Sequence, residues 1–153
     1  DGRAVKKRFS RPNVAFGGVA AGLAVCRFAA KWLHSGAEDI VTSKEIAELV
    51  EGKIVTADSE ARNVEFGFAS DLMSDVLTLT EESVLFITGL ATTQTIRTAV
   101  ISDIEMILLV RGKRATKDMV AAANADGIVL IESPYSMYRA SGTLYAAGLK
   151  AVF

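Results

Sequence analysis

The sequence predicts an α/β domain, a small layered sandwich in which helices flank a mostly parallel sheet. Within residues 83–149, three continuous apolar segments alternate with three segments of helical periodicity. Continuous apolar strands are typical of parallel sheets buried on both faces, because the helices that join the strands cover the sheet. The chain has 153 residues, of which 50% are hydrophobic and 23% are charged, so it is long enough for one domain with a core.

The first predicted element is a short helix. Thr42 and Glu45 have the spacing of a capping box, in which each side chain binds the other residue's backbone N–H. Three apolar side chains then share one helical face: Ile46, Leu49 and Val50. Gly52 is expected to supply the left-handed residue that stops the helix, which is predicted to end at Lys53.

Two short strands and a second helix are predicted next. Residues 53–57 are rich in β-branched side chains and residues 64–69 alternate in polarity, so both are expected to be strands separated by a polar turn. Ser70 is predicted to cap a short helix over residues 71–77. Asp71 is favoured near the positive end of that helix.

The remainder repeats one pattern of strand and helix three times. The predicted elements are a strand over 83–88, a helix over 94–104, a strand over 105–110, a helix over 116–125, a strand over 128–131 and a closing helix over 136–149. Thr116 is predicted to cap the second of these helices. In the helix over 94–104, Ile96, Val100 and Ile104 are expected to share the buried face.

Residues 1–40 differ in composition from residues 41–153. They carry seven basic and three acidic side chains, whereas the remainder carries ten basic and fifteen acidic ones, and the boundary is predicted near Glu38–Val41. We expect this leader to be disordered or weakly helical. Three origins stay open: translated upstream DNA preceding a GTG start at Val41, an amphipathic or partner-binding extension, and a secretory signal.

Composition and motifs exclude several functions. The balanced charge, formally −1, excludes a typical nucleic-acid binder, and the apolar run at 14–26 is shorter than a membrane span. The single Cys allows no internal disulfide and favours a cytoplasmic protein. Residues 41–153 hold no Cys and no His, and the chain has neither a complete P-loop nor a dinucleotide fingerprint. We therefore predict no catalytic group, no resident metal and no cofactor.

Candidate ligand-binding residues follow the predicted parallel strands, whose carboxyl ends share one edge of the sheet. These residues are Gly89, Thr92, Arg111 and Gly112, with Ser70 and Asp71 nearby. The Thr-rich turn and the basic turn are suited to an anionic ligand. The alternative for the Thr-rich turn is helix capping by the hydroxyls, and the alternative for the basic turn is a solvated loop. Asp71 and Asp75 could instead hold Mg²⁺ together with a ligand phosphate, or serve only in capping and solvation.

The closing helix is apolar and aromatic on more faces than a small domain can bury. Its candidate interface residues are Tyr135, Met137, Tyr138 and Tyr145, and Tyr and Met are enriched at protein interfaces. The sequence therefore predicts a homodimer, or a partner protein, at this helix.

Four segments resemble the DRTGG domain family: residues 43–49, 68–77, 85–90 and 134–138. The resemblance covers about residues 42–146, and it is most specific in the segment from Phe68 to Leu77. It implies a fold like the N-terminal domains of HPr kinase and Mur ligases. The chain departs from the name-giving motif, because Gly89-Leu90-Ala91 stands where Gly-Asp-Arg is expected and Val110-Arg111-Gly112 where Thr-Gly-Gly is expected.

Members of that family resemble regulatory or assembly modules in phosphate acetyltransferases and pyrophosphatases, so the resemblance implies a non-catalytic module. From the strand-end residues we predict that this module senses a small anionic metabolite or nucleotide, such as a phosphorylated metabolite. Two alternatives remain, namely a structural dimerisation domain and a fragment of an HPr kinase-like phosphotransfer enzyme. The second is disfavoured by the incomplete P-loop.

Overall fold

The computed structural model describes residues 41–57 and 62–153, which form an α/β domain of strands and short helices. The elements in chain order are β1 (Val41–Thr42), α1 (Ser43–Leu49), β2 (Lys53–Ile54), β3 (Asn63–Val64), β4 (Phe66–Ala69), α2 (Met73–Val76), β5 (Val84–Thr88), α3 (Thr93–Ile101), β6 (Met106–Leu109), α4 (Lys117–Ala125), β7 (Val129–Glu132), α5 (Met137–Ala146) and β8 (Lys150–Ala151). The leader over residues 1–40 and the polar turn predicted after residue 57 lie largely outside the described residues.

Six strands form the main sheet in the order β2-β7-β6-β5-β4-β8. Every neighbouring pair is parallel except β2 and β7, which are antiparallel. β1 and β3 form a separate antiparallel pair. The predicted fold class, a mostly parallel sheet flanked by helices, is confirmed.

The core has two halves, one on each face of the sheet. Side chains alternate along each strand, so Leu85 and Ile87 lie in one half while Phe86 lies in the other. The first half includes buried residues of α1 and α5, and the second includes those of α2, α3 and α4. The central strands are buried on both faces, which is why they read as continuous apolar runs.

The hydroxyl caps predicted at Thr42 and Thr116 are present. Glu45 N donates to Thr42 Oγ1 at 3.3 Å, and Thr42 N donates to Glu45 Oε2 at 3.0 Å, which completes the capping box. Thr116 Oγ1 accepts from Met119 N at 3.2 Å at the start of α4.

The predicted end of α1 is wrong. The helix ends at Leu49, and the left-handed residue is Glu51 (φ 49°), not Gly52. Gly52 is needed for space instead, because a Cβ there would lie 2.9 Å from the backbone oxygen of Glu132. The glycine therefore lets the chain pass close to the end of β7.

The strand predicted over residues 64–69 is two strands. Val64 pairs with Val41 in the small sheet, whereas Phe66 pairs with Val84 in the main sheet. The chain changes sheets at Glu65, whose N–H bonds Ser83 O at 2.9 Å. Alternating polarity detects an extended segment but does not identify the partner of each residue.

The helix predicted over 94–104 is also too long. α3 ends at Ile101, and Asp103 takes a left-handed conformation (φ 54°) that turns the chain back toward the sheet. Ile104 is buried beyond the helix, while Val100 is 46% exposed. The spacing of residues 96, 100 and 104 therefore does not define the buried face of α3. The buried residues of the helix are Thr95, Ile96, Thr98 and Ala99.

The closing helix ends at Ala146 rather than at Leu149. Gly148 takes φ 102°, which reverses the chain, and Lys150 then pairs in parallel with Phe66. This edge strand, β8, is not predicted from the sequence, because a strand of two residues shows no recognisable pattern. Within the described ranges, no helix has both the length and the apolar character needed to cross a bilayer.

Candidate functional site

The carboxyl ends of β5, β6 and β7 meet at one edge of the sheet. Val110 N donates to Thr88 O at 3.0 Å, and Ser133 N donates to Leu109 O at 2.8 Å. Gly112 N donates to Ser133 O at 3.0 Å, which ties the basic turn to the end of β7. The three strand ends that the sequence placed together are thus joined by hydrogen bonds.

A cluster of polar groups centred on Asp71 lies at this edge, and we call it the Asp71 cluster. Asp71 Oδ1 accepts from Gly89 N at 2.7 Å and from Thr88 Oγ1 at 2.9 Å. Asp71 Oδ2 pairs with Arg111 Nη2 at 2.6 Å. Three donors from two adjacent strand ends therefore converge on one carboxylate.

The side chain of Arg111 crosses the backbone at Gly89. A Cβ at Gly89 would collide with the Arg111 guanidinium, so a glycine is required for this arrangement. Arg111 has φ 63°, an uncommon conformation for a residue with a side chain. The side chains of Arg111 and Asp71 are 46% and 37% exposed, so solvent and ligands can reach the pair.

The electrostatics of the cluster favour an ionised carboxylate. Partial burial raises the pKa of Asp71, but the hydrogen bonds from Gly89 N–H and the Thr88 hydroxyl and the charge of Arg111 together outweigh it. The net pKa is below its ordinary value. Asp71 therefore carries its negative charge at neutral pH.

Ser70 and Asp71 do not begin a helix as predicted. α2 starts at Met73, and its N-cap residue is Leu72, without a side-chain cap. Ser70 Oγ accepts from Leu72 N at 2.9 Å, which forms a turn before the helix. The hydroxyl of Ser70 also bonds Asp75 Oδ2 at 3.2 Å, so the two aspartates have different partners. In the part of the chain that the structure describes, no group of three or more His, Cys, Asp or Glu residues is arranged to hold a metal ion.

Thr92 and Gly112 lie next to the cluster in sequence. Thr92 is the exposed N-cap residue of α3, yet its side chain makes no capping hydrogen bond to the backbone. Its Oγ1 lies 3.2 Å from Thr95 Oγ1 instead. Gly112 is exposed with φ 64°, and the turn continues into the exposed Lys113 and Arg114. The edge thus presents three basic side chains within four residues.

A second carboxylate at this edge, Glu132, is not among the site residues predicted from the sequence. Its side chain is 8% exposed, and it accepts from Ala115 N at 2.8 Å and pairs with Arg114 Nη1 at 2.6 Å. The available signal was an acidic residue that directly follows the apolar run of β7. This carboxylate holds the end of the basic turn against the sheet.

An apolar groove of about 660 Å³ lies between α5 and the strands β4 and β8, and we call it the α5 groove. None of the predicted ligand-binding residues lines it. Tyr138 and Tyr145 stand beside the groove and are 91% and 69% exposed. Met137 is partly buried against the core.

Tyr135 lies in the core rather than at the predicted interface, with 4% exposure. Burial and a hydrogen bond with Glu51 raise the pKa of Tyr135, while the Arg139 charge acts in the opposite direction. Arg139 lies over the tyrosine ring, with Cζ 3.7 Å from the ring centroid. Tyr135 therefore packs in the core immediately before α5. Of the four predicted interface residues, only Tyr138 and Tyr145 are well exposed.

Comparison with known proteins identifies a fold relationship. A crystal structure of the CBS and DRTGG domains of the regulatory region of Clostridium perfringens pyrophosphatase, complexed with the activator diadenosine tetraphosphate, matches this chain with a TM-score of 0.61. The identity is 11%, and the match covers 80% of this chain and 56% of that chain. No family model matches the sequence, and no curated protein matches it significantly. The chain therefore shares an α/β fold with part of a pyrophosphatase regulatory region.

Proposed function

We propose that residues 41–153 form a non-enzymatic regulatory module of the DRTGG type that binds a nucleotide or phosphorylated metabolite at the carboxyl edge of the sheet. The observation that carries this proposal is the convergence of Thr88, Gly89 and Arg111 donors at adjacent strand ends. Ligands of open parallel sheets bind outside these ends.

The charge of the edge supports an anionic ligand. A guanidinium has five N–H donors, and Asp71 engages Arg111 through Nη2, so other donors remain for a phosphate. Lys113 and Arg114 are exposed in the same turn. Arginine binds phosphate through paired hydrogen bonds, which adds orientation as well as affinity.

The structural relative supports the regulatory part of the proposal. The matched structure is the regulatory region of a pyrophosphatase, and it is complexed with the activator diadenosine tetraphosphate. A nucleotide that joins phosphates to an adenosine is therefore a reasonable first ligand to test here. The DRTGG-like segments seen in the sequence include Gly89 and the residues around Asp71.

The test is a thermal-shift screen of the purified chain with ATP, diadenosine tetraphosphate and inorganic pyrophosphate, followed by titration calorimetry. A ligand at 100 times its dissociation constant stabilises the folded state by about 2.7 kcal/mol. We expect Arg111→Gln to weaken binding about tenfold, since it removes a charge-assisted hydrogen bond. Arg97→Gln is the matched control, because Arg97 is an exposed arginine of α3 and is not part of the turn that follows β6.

Two results would contradict the proposal. Absence of any shift at millimolar ligand would argue against a phosphate site, and equal affinities for the two arginine variants would place the site elsewhere. ATP hydrolysis by the purified chain would favour the HPr kinase-like alternative.

A second candidate function, structural dimerisation, is supported by α5. Tyr138 and Tyr145 are seven residues apart, so they lie on one side of the helix, and both are well exposed beside the α5 groove. Exposed aromatic side chains beside an apolar groove are typical of interfaces. If this helix mediates a homodimer, Tyr138→Ser with Tyr145→Ser will convert the dimer to monomer in sedimentation velocity at micromolar concentration. A wild-type chain that is monomeric under those conditions contradicts this candidate.

A further inference from the structure

We propose that the Asp71 carboxylate is an internal occupant of the anion site and that an incoming phosphate group displaces it. The inference rests on the proposed function, because it concerns how the same strand-end site is regulated. It assigns Asp71 the role of a competitor for the ligand, which differs from the ligand-binding role expected from the sequence.

The donors around Asp71 are of the kinds that bind phosphate oxygens. They are a backbone N–H at a strand end, a threonine hydroxyl and an arginine guanidinium, at 2.7, 2.9 and 2.6 Å from the carboxylate oxygens. A carboxylate and a phosphate both present negatively charged oxygen atoms, so either one satisfies this set of donors. The two cannot occupy the same donors at once.

Asp71 is held on a short exposed turn that is anchored on both sides. It lies between β4 and α2, where Leu72 is 59% exposed. Ser70 N remains bonded to Ile87 O at 3.1 Å on one side, and Val76 is fully buried on the other. Departure of the Asp71 carboxylate therefore needs only rotation of its side chain or a change confined to residues 71–72, and it leaves both anchors in place.

The other carboxylate at this edge provides a contrast. Glu132 also pairs with an arginine, but its side chain is 8% exposed, against 37% for Asp71. Displacement of Glu132 would leave the N–H of Ala115 without its acceptor inside the fold. When Asp71 is displaced, the donors of Thr88, Gly89 and Arg111 bind the incoming phosphate oxygens instead of the carboxylate.

The exchange is energetically accessible. A carboxylate–guanidinium pair with both partners partly exposed contributes little to stability, because water competes for both charges. A phosphate group carries more negative charge than a carboxylate and binds a guanidinium through two parallel hydrogen bonds. The affinity measured for the wild-type chain is therefore reduced by the fraction of molecules in which Asp71 occupies the site.

The test compares binding of inorganic pyrophosphate by the complete 153-residue chain and by two variants, with the amide signal of Gly89 followed by NMR. Asp71→Asn keeps an oxygen that can accept from Gly89 but removes the charge that holds Arg111. We expect this variant to bind pyrophosphate about tenfold more tightly than the wild type. Asp118→Asn is the control, because it removes an equal charge from the exposed first turn of α4.

The outcomes separate this inference from the proposed function. If the wild type binds and Asp71→Asn binds no more tightly than Asp118→Asn, displacement is wrong and the phosphate site stands. If no protein binds, both are wrong. Tighter pyrophosphate binding by Asp71→Asn than by both the wild type and Asp118→Asn supports the inference.

A wild-type readout keeps the inference testable if Asp71→Asn does not fold. Displacement requires the side-chain carboxyl carbon signal of Asp71 to shift with the same pyrophosphate dependence as the amide signal of Gly89. A shift of Gly89 with the Asp71 carboxyl signal unchanged overturns displacement, since the carboxylate would then have kept its hydrogen bonds.

Discussion

Asp71 and Glu132 face arginines at the same edge of the sheet, and their burial gives them different roles. The Asp71–Arg111 pair is partly exposed on both sides, so water weakens the attraction. Glu132 is buried and accepts a backbone N–H as well as a guanidinium hydrogen bond. The first carboxylate is suited to exchange with a ligand, and the second is suited to holding the turn.

The contribution of Asp71 to stability depends on pH. Because its folded-state pKa lies below the ordinary value, the carboxylate stabilises the fold above the unfolded-state pKa, and this contribution disappears as the pH falls through the folded-state pKa. We expect Asp71→Asn to lower the free energy of unfolding by about 1 kcal/mol at pH 7, with the difference shrinking below about pH 4.

Urea unfolding of both proteins at several pH values between 3 and 7 measures this difference. Glu82→Gln, which removes one negative charge from the exposed loop before β5, corrects for the change in net charge. A difference between wild type and Asp71→Asn that stays constant down to pH 3 would contradict the ion pair.

Glu132 is expected to be more important for stability than for binding. Glu132→Ala leaves the N–H of Ala115 without its acceptor and should lower the free energy of unfolding by about 1–3 kcal/mol. Glu132→Gln keeps an acceptor oxygen and is expected to cost less. Equal losses for the two variants in chemical denaturation would show that the charge, and not the backbone hydrogen bond, is what matters.

At the scale of single elements, α3 and α4 begin with the same residue type in different roles. Thr116 accepts a backbone hydrogen bond at the start of α4, whereas the side chain of Thr92 makes none at the start of α3. Capping of the backbone therefore does not account for a threonine at position 92, whose hydroxyl bonds the Thr95 hydroxyl beside the proposed site.

This difference predicts unequal effects of the same substitution. Thr116→Ala removes a helix cap and should lower the free energy of unfolding by about 1 kcal/mol. Thr92→Ala should change it by less than about 0.5 kcal/mol, as is usual for an exposed position. Urea denaturation of the two variants side by side measures both values, and equal losses would mean that Thr92 caps α3 after all.

The starts of α1 and α4 were predicted better than the ends of α1 and α3, although the predicted start of α2 was wrong. A start depends on local hydrogen bonds, such as those of Thr42 with Glu45, that a short sequence encodes. The ends of α1 and α3 depend on left-handed conformations at Glu51 and Asp103, which are not glycines. Aspartate adopts this conformation more readily than most residues and glutamate does not, so the sequence offered a weak signal at Asp103 and none at Glu51.

At the scale of the whole molecule, one sheet separates two halves of a core. Ile107 belongs to one half and Leu108 to the other, although they are adjacent in β6. Because both halves rest on the same strands, loss of packing on one face disrupts the strand that supports the other. The described domain is expected to unfold as one cooperative unit.

This prediction is tested with Ile107→Ala and Leu108→Ala. Each creates a cavity on a different face and should lower the free energy of unfolding by about 3 kcal/mol, while Val100→Ala at an exposed position should change it by less than about 0.5 kcal/mol. Circular dichroism and NMR signals from both faces should give the same urea midpoint within each variant. Separate midpoints for the two faces would show independent units.

The sequence by itself determined the fold class, the order of the main elements and the strand-end location of the basic turn. Continuous apolar strands and hydroxyl caps are local signals that follow from burial and from unsatisfied backbone groups. Only the tertiary structure decided that Asp71 faces Gly89 and Arg111, that Tyr135 is buried, and that residues 150–151 extend the sheet. These features join segments far apart in the chain, and their geometry depends on how the strands are ordered and not on neighbouring residues.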